Sequence, residues 1–135
     1  MILLVCGILA GCGPAKGTAE YHLAHGNYFA EQGRYDEAIE QYTRAIELNP
    51  NLPHAYNNRA YVYLIKRQYD LAIAECNRAI ELDSSFAMAY INRALAYKGQ
   101  GKKEEALADL EKSVTLTKDP QLIGMARHYI EELSK

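Results

Sequence analysis

The chain repeats itself with a period of 34 residues. Shifted by that length, Tyr35-Asp36 falls on Tyr69-Asp70, Ala38-Ile39 on Ala72-Ile73, and Arg44-Ala45-Ile46-Glu47-Leu48 on Arg78-Ala79-Ile80-Glu81-Leu82. A second shift brings Ala55-Tyr56 onto Ala89-Tyr90, Asn58-Arg59-Ala60 onto Asn92-Arg93-Ala94, and Tyr63 onto Tyr97. A fixed period of this length marks stacked supersecondary units, each unable to bury its apolar face without a neighbour. Within each unit the apolar residues recur at helical spacing in two blocks. The blocks are separated by Gln32-Gly33-Arg34, Lys66-Arg67-Gln68 and Gln100-Gly101-Lys102, so each unit reads as a helical hairpin. With 135 residues, 49% of them hydrophobic, the chain has material for one modest domain. The expected fold is all-α: an α-solenoid of three hairpins at 19–52, 53–86 and 87–120, plus a C-terminal capping helix at 121–135.

Side-chain size supports the hairpins. Small residues stand where helices approach most closely: Gly26, Ala60 and Ala94 in the first helices, Ala38, Ala72 and Ala106 in the second. A larger side chain there would force the helices apart. Aromatic Phe29, Tyr63 and Tyr97 project from the first helices, while Ala45, Ala79 and Ser113 leave room for the following unit. Cys76 lies on an apolar stripe and is assigned to the core, where a free cysteine behaves as a small hydrophobe. Asp119-Pro120 starts the last helix, whose apolar face is Leu122, Ile123, Ala126, Ile130 and Leu133. It is expected to cap the open end of a complete chain.

One polar pattern recurs in register. Immediately before each small first-helix position stand His25, Arg59 and Arg93, and at a constant offset on the second helix stand Gln41, Glu75 and Asp109. Arginine is matched by an acid and histidine by an amide, so these pairs are expected to brace the hairpins. The alternative is that Arg59 and Arg93 face a groove and hold a ligand carboxylate.

The N-terminus is chemically distinct. Residues 1–10, Met-Ile-Leu-Leu-Val-Cys-Gly-Ile-Leu-Ala, form a charge-free apolar run too short to span a bilayer, which needs about 20 residues. With Leu9-Ala10-Gly11-Cys12 at its end, it resembles a bacterial lipoprotein signal, although no lysine or arginine precedes the run. That resemblance implies a signal peptide at 1–11, cleavage before Cys12, lipidation of the Cys12 thiol and a short tether at 12–18. Two or more acyl chains make such anchoring stable. The expected location is the bacterial cell envelope, with the chain facing the periplasm or exterior and ordered structure beginning near Ala19.

The small and aromatic positions, with Pro50 ending the first unit, resemble the tetratricopeptide repeat through residues 19–120. Ser84 and Lys118 stand where Pro50 would recur, and Lys103 replaces the tyrosine of Tyr35 and Tyr69. The resemblance implies a concave groove lined by the first helices that accepts a peptide or a partner's helix. Its lining would be Leu23, Asn27, His54, Asn57, Asn58, Tyr61, Leu64, Met88, Ile91, Asn92, Leu95 and Lys98. The asparagines offer paired donors and acceptors to a bound main chain, or else are solvated surface residues. One subfamily grips chaperone C-terminal carboxylates with two asparagines and three cations. Asn27 and Asn58 match its asparagines, but Leu23, Met88 and Asn92 occupy the cationic positions, which argues against that ligand.

Fifteen lysines and arginines against 17 acids give a net charge of −2, which argues against nucleic acid as a partner. There is no phosphate-binding glycine loop and no nucleophile with a matching histidine and acid. His22 and His25 stand three apart but lack a third ligand, so no metal site is expected. No cofactor or small-molecule substrate is expected either. The sequence reads as a non-catalytic interaction adaptor with a protein or peptide partner and a membrane attachment through lipid alone. Two rivals stand beside it: a self-associating structural protein, and a cytosolic adaptor whose signal is not processed.

Overall fold

A computed structural model describes residues 13–135 of the chain; the run 1–11 and Cys12 lie outside the described residues. Among the described residues there are seven helices and no strand: α1 (Ala19–Glu31), α2 (Tyr35–Leu48), α3 (Pro53–Ile65), α4 (Tyr69–Leu82), α5 (Ala87–Gly99), α6 (Lys103–Leu116) and α7 (Pro120–Leu133). No described helix is long and apolar enough to cross a membrane. The outermost helices start on side-chain caps. The Thr18 hydroxyl accepts the Tyr21 N–H at 3.2 Å, and the Asp119 carboxylate accepts the Gln121 N–H at 2.8 Å; each satisfies an otherwise orphaned donor.

The helices pair as α1/α2, α3/α4 and α5/α6. Each second helix packs on the next first helix, and α7 closes the stack against α6. The repeat's small residues sit at these contacts: Ala38, Ala45, Ala60, Ala72, Ala79 and Ala106 have no exposed surface. Gly26 is required by its neighbour, because a methyl there would collide with the ring of buried Tyr42. Cys76 is fully buried, and that burial pushes its thiol up to about 12, so it is an unreactive core residue. Beneath α7, Ile91, Ala94, Ala106, Leu110 and Ala126 form a continuous cluster.

The turn between the two helices of each hairpin uses a left-handed residue. Gly33 and Gly101 adopt φ of 72° and 74°, and at the same place in the second hairpin Arg67 adopts 58°. The Cβ of any residue but glycine crowds the carbonyl oxygen in this conformation, so the second turn carries backbone strain that the other two avoid.

Arg59 and Arg93 act across three helices each. The Arg59 guanidinium donates from Nε and Nη2 to the two Glu75 carboxylate oxygens, both at 2.8 Å, and from Nη1 to Thr43 Oγ1 at 2.9 Å. Arg93 repeats this with Asp109, at 2.7 Å twice, and with Asn77 at 2.7 Å. The contacts to Thr43 and Asn77 tie each hairpin to the one before it, a link the hairpin pairing alone does not provide. The first hairpin departs from the expected pattern. Gln41 is engaged by His22, whose Nδ1–H donates to the amide oxygen at 2.8 Å, while His25 stacks on the Tyr21 ring with centroids 4.1 Å apart. An imidazole is shorter than an arginine, and among the described residues there is no earlier second helix for His25 to reach.

Replacing Arg67 with glycine relieves the left-handed strain and raises the unfolding free energy by about 1 kcal/mol in urea titration. Arg59→Ala strands the half-buried Glu75 carboxylate and costs about 2 kcal/mol, whereas the paired Arg59→Met, Glu75→Leu replacement costs less. Burial raises the Glu75 carboxyl above its ordinary value, against the pull of Arg59. For an acid raised by folding, the linked stabilisation is present below the unfolded pKa and lost as pH rises through the folded one. The urea midpoint of the parent chain therefore falls relative to Glu75→Gln as pH is raised from about 4 to about 7.

Candidate functional site

The first helices lie side by side on the inner face of the stack, with α1 touching α3 and α3 touching α5. Between them is a concavity of about 490 Å³. Its polar floor comes from Asn27, Asn57, Asn58 and Asn92, and its apolar wall from Tyr61, Met88, Leu95, Met125 and Tyr129. Ala30, Glu31 and Tyr42 complete the lining.

The floor is a chain of hydrogen bonds running across the three units. Tyr42 Oη and Asn58 Nδ2 both donate to Asn27 Oδ1, at 2.9 and 2.8 Å. Asn57 Nδ2 donates to Asn58 Oδ1 at 3.3 Å, and Asn92 Nδ2 donates to Asn57 Oδ1 at 2.9 Å. The inner amides are thus spent on one another. At the two ends, Asn27 Nδ2 and Asn92 Oδ1 have no partner among the described residues, leaving a donor over α1 and an acceptor over α5. Asn57 and Asn92 are 5% and 4% exposed, so at this depth each internal bond avoids the cost of a stranded polar group. Burial, with a smaller contribution from the Glu31 charge, pushes the Tyr42 phenol up to about 12, so it remains a proton donor to Asn27 at neutral pH.

Not every residue assigned to the lining reaches it. Ile91 has no exposed surface and belongs to the core, because α7 lies over it. His54 is outside the groove and packs edge-on to Phe86, with centroids 4.7 Å apart. Leu64 and Lys98 line an adjoining hollow of about 450 Å³ with Ile65, Arg67, Tyr69 and Gly99, and it shares Leu95 and Tyr129 with the main groove. The Lys98 ammonium donates to Glu132 at 2.7 Å. Leu23 packs with the Tyr42 core cluster. Tyr42, Glu31, Met125 and Tyr129 are lining residues that the repeat register did not provide. Met125 and Tyr129 lie outside the apolar face read for α7, although their four-residue spacing places them on a common side of that helix.

A stack of helical hairpins around a peptide-sized groove defines an α-solenoid with a concave surface open to a ligand. Family models described as TPR repeat and Tetratricopeptide repeat match residues 26–66, 53–86 and 87–120. The first TPR of Spaghetti (RPAP3), bound to the HSP90 peptide SRMEEVD, superposes with a TM-score of 0.82 at 31% identity, covering 92% of this chain and 96% of that one. The second TPR domain of human RPAP3, in complex with the HSP70 peptide SGPTIEEVD, gives a TM-score of 0.77 at 32% identity, covering 84% and 92%. The chain belongs to the tetratricopeptide-repeat family. Among curated proteins, Tetratricopeptide repeat protein 36 of Caenorhabditis elegans is 51% identical over 39 residues, which is 29% of this chain and 22% of the relative. Hsp70-Hsp90 organizing protein 3 of Arabidopsis thaliana is 44% identical over 45 residues, 33% of this chain and 8% of the relative. The chain therefore matches less than a quarter of the length of these curated relatives.

Removing the middle of the amide chain tests its contribution. Asn58→Ala strands the Asn57 donor, leaves Asn27 Oδ1 with Tyr42 as its one remaining donor, and lowers the unfolding free energy by about 1 kcal/mol. The same change at exposed Asn51 is expected to shift it by less than about 0.5 kcal/mol, with both read from urea midpoints.

Proposed function

We propose that this chain is a non-catalytic adaptor that takes a peptide or a partner's helix along the groove between α1, α3, α5 and α7. The observation that carries this reading is the groove itself: an apolar wall beside an amide chain whose two ends are open. Such a surface pairs with a main chain through the open amides and seats side chains on the wall. The family domains it resembles are described with peptides bound, which supports the same use here. A photo-crosslinking side chain placed at Tyr61 should capture a discrete partner in the native cell, while one at Ala74, exposed on α4 outside the groove, should not. Crosslinks from Ala74 alone would contradict the groove.

We further propose that Cys12 carries a lipid and holds the domain at a bacterial envelope membrane, facing the periplasm or exterior. The support is the sequence Leu9-Ala10-Gly11-Cys12 after an apolar run; the matched curated relatives named above come from an animal and a plant. Intact mass after recovery from bacterial membranes decides it. The expected species begins at Cys12 with added acyl mass that disappears in Cys12→Ser, and an unprocessed chain starting at Met1 would overturn the anchor.

A further inference from the structure

The groove carries charge of one sign. Glu31 is exposed on its rim and forms no ion pair among the described residues. It is also the last residue of α1, where the outward-pointing carbonyls of the final turn add negative potential. No lysine or arginine lines the main groove. The guanidiniums of Arg59 and Arg93 are each held by two carboxylate oxygens. Lys98, in the adjoining hollow, is paired with Glu132, and Arg67 lines only that hollow and a neighbouring one.

The apolar wall has a definite character as well. Tyr61 and Met125 are 49% and 40% exposed and face the groove with Met88, Leu95 and Tyr129. Methionine is unbranched and polarizable, so a wall with two of them adapts to an aliphatic side chain of varied shape. A carboxylate brought to this wall would lose its water without gaining a cation, and Glu31 would repel it.

We propose that the preferred occupant is a peptide with an aliphatic anchor, leucine or methionine, seated among Tyr61, Met88, Leu95, Met125 and Tyr129, and a lysine or arginine beside it that pairs with Glu31. This rests on the groove being the binding surface and adds the chemistry of what it binds. Acidic peptides such as SRMEEVD and SGPTIEEVD, which accompany the related domains, are disfavoured here. Leu23, Met88 and Asn92 present no charge to neutralise them.

The test is selection from two pools of acetylated, C-terminally amidated heptapeptides, one with leucine and one with alanine fixed at the centre and the other positions varied in both, presented to the domain and to its Glu31→Gln and Tyr61→Ala variants. Retained peptides are expected to be enriched about threefold in lysine plus arginine over aspartate plus glutamate at a position beside the leucine, the range an exposed ion pair supports. Glu31→Gln should return that ratio to about one while leucine-dependent retention persists, and Tyr61→Ala should reduce retention of every pool. Retention that needs Tyr61 but shows no basic preference, or an acidic one, overturns the charge inference and leaves the groove standing. A basic preference that survives in Glu31→Gln likewise overturns the assignment to Glu31. Absence of leucine-dependent retention, or retention indifferent to Tyr61→Ala, overturns the groove reading and this inference together.

Discussion

A helical hairpin of 34 residues has two apolar faces and can cover only one of them with its own helices. Everything else in the fold answers that constraint. The second face is buried by the next hairpin, which is why alanines with no exposed surface recur at Ala38, Ala72 and Ala106 and again at Ala45 and Ala79. The last hairpin is covered by α7, whose Ala126 enters the cluster of Ile91, Ala94, Ala106 and Leu110. Arginines then fix how the units sit. Arg59 and Arg93 each hold an acid within their own hairpin and a polar side chain of the preceding one, so the angle between neighbours is set by directional bonds as well as by packing.

The groove is a by-product of that stacking made useful by polar residues. Placing three first helices side by side leaves a concave inner face, and a face of bare backbone cylinders would favour no particular ligand. Here the asparagines bond to one another from α1 through α3 to α5, which holds the floor in one arrangement before anything binds. Preorganisation of this kind lowers the ordering cost of association. The open donor at Asn27 and the open acceptor at Asn92 remain for a ligand, and α7 supplies Met125 and Tyr129 as the far wall. The terminal helix thus has two uses: it covers the third hairpin and completes the groove.

The fold was legible in the sequence because a repeat reports the same packing rule three times over. Small residues at constant spacing reveal contacts that a single helix would leave ambiguous, and the Arg59–Glu75 and Arg93–Asp109 partners could be paired by offset alone. The site was legible in part. Asn27, Asn57, Asn58, Tyr61, Met88, Asn92 and Leu95 were placed by register, since register fixes which helix face looks inward. His25 was matched to Gln41 on the same logic, but the structure gives Gln41 to His22, because a short ring cannot make the reach of an arginine. Register points Ile91 inward but says nothing of what α7 covers. Met125, Tyr129 and Tyr42 were missed for a related reason: they lie on helices outside the repeated first-helix pattern, and only the tertiary arrangement brings them to the concave face.

A groove held in place by its own amides makes a demand on the free protein that a floor of solvated asparagines does not. The direct measurement is hydrogen exchange of the asparagine side-chain amides by NMR in the absence of any ligand. The Asn57, Asn58 and Asn92 amide protons, engaged in the interior chain, should exchange at least about tenfold more slowly than those of exposed Asn51, as a bond worth about 1.4 kcal/mol against opening requires. Exchange at the rate of Asn51 would show that the floor is not formed in the free chain and would contradict a preformed binding groove.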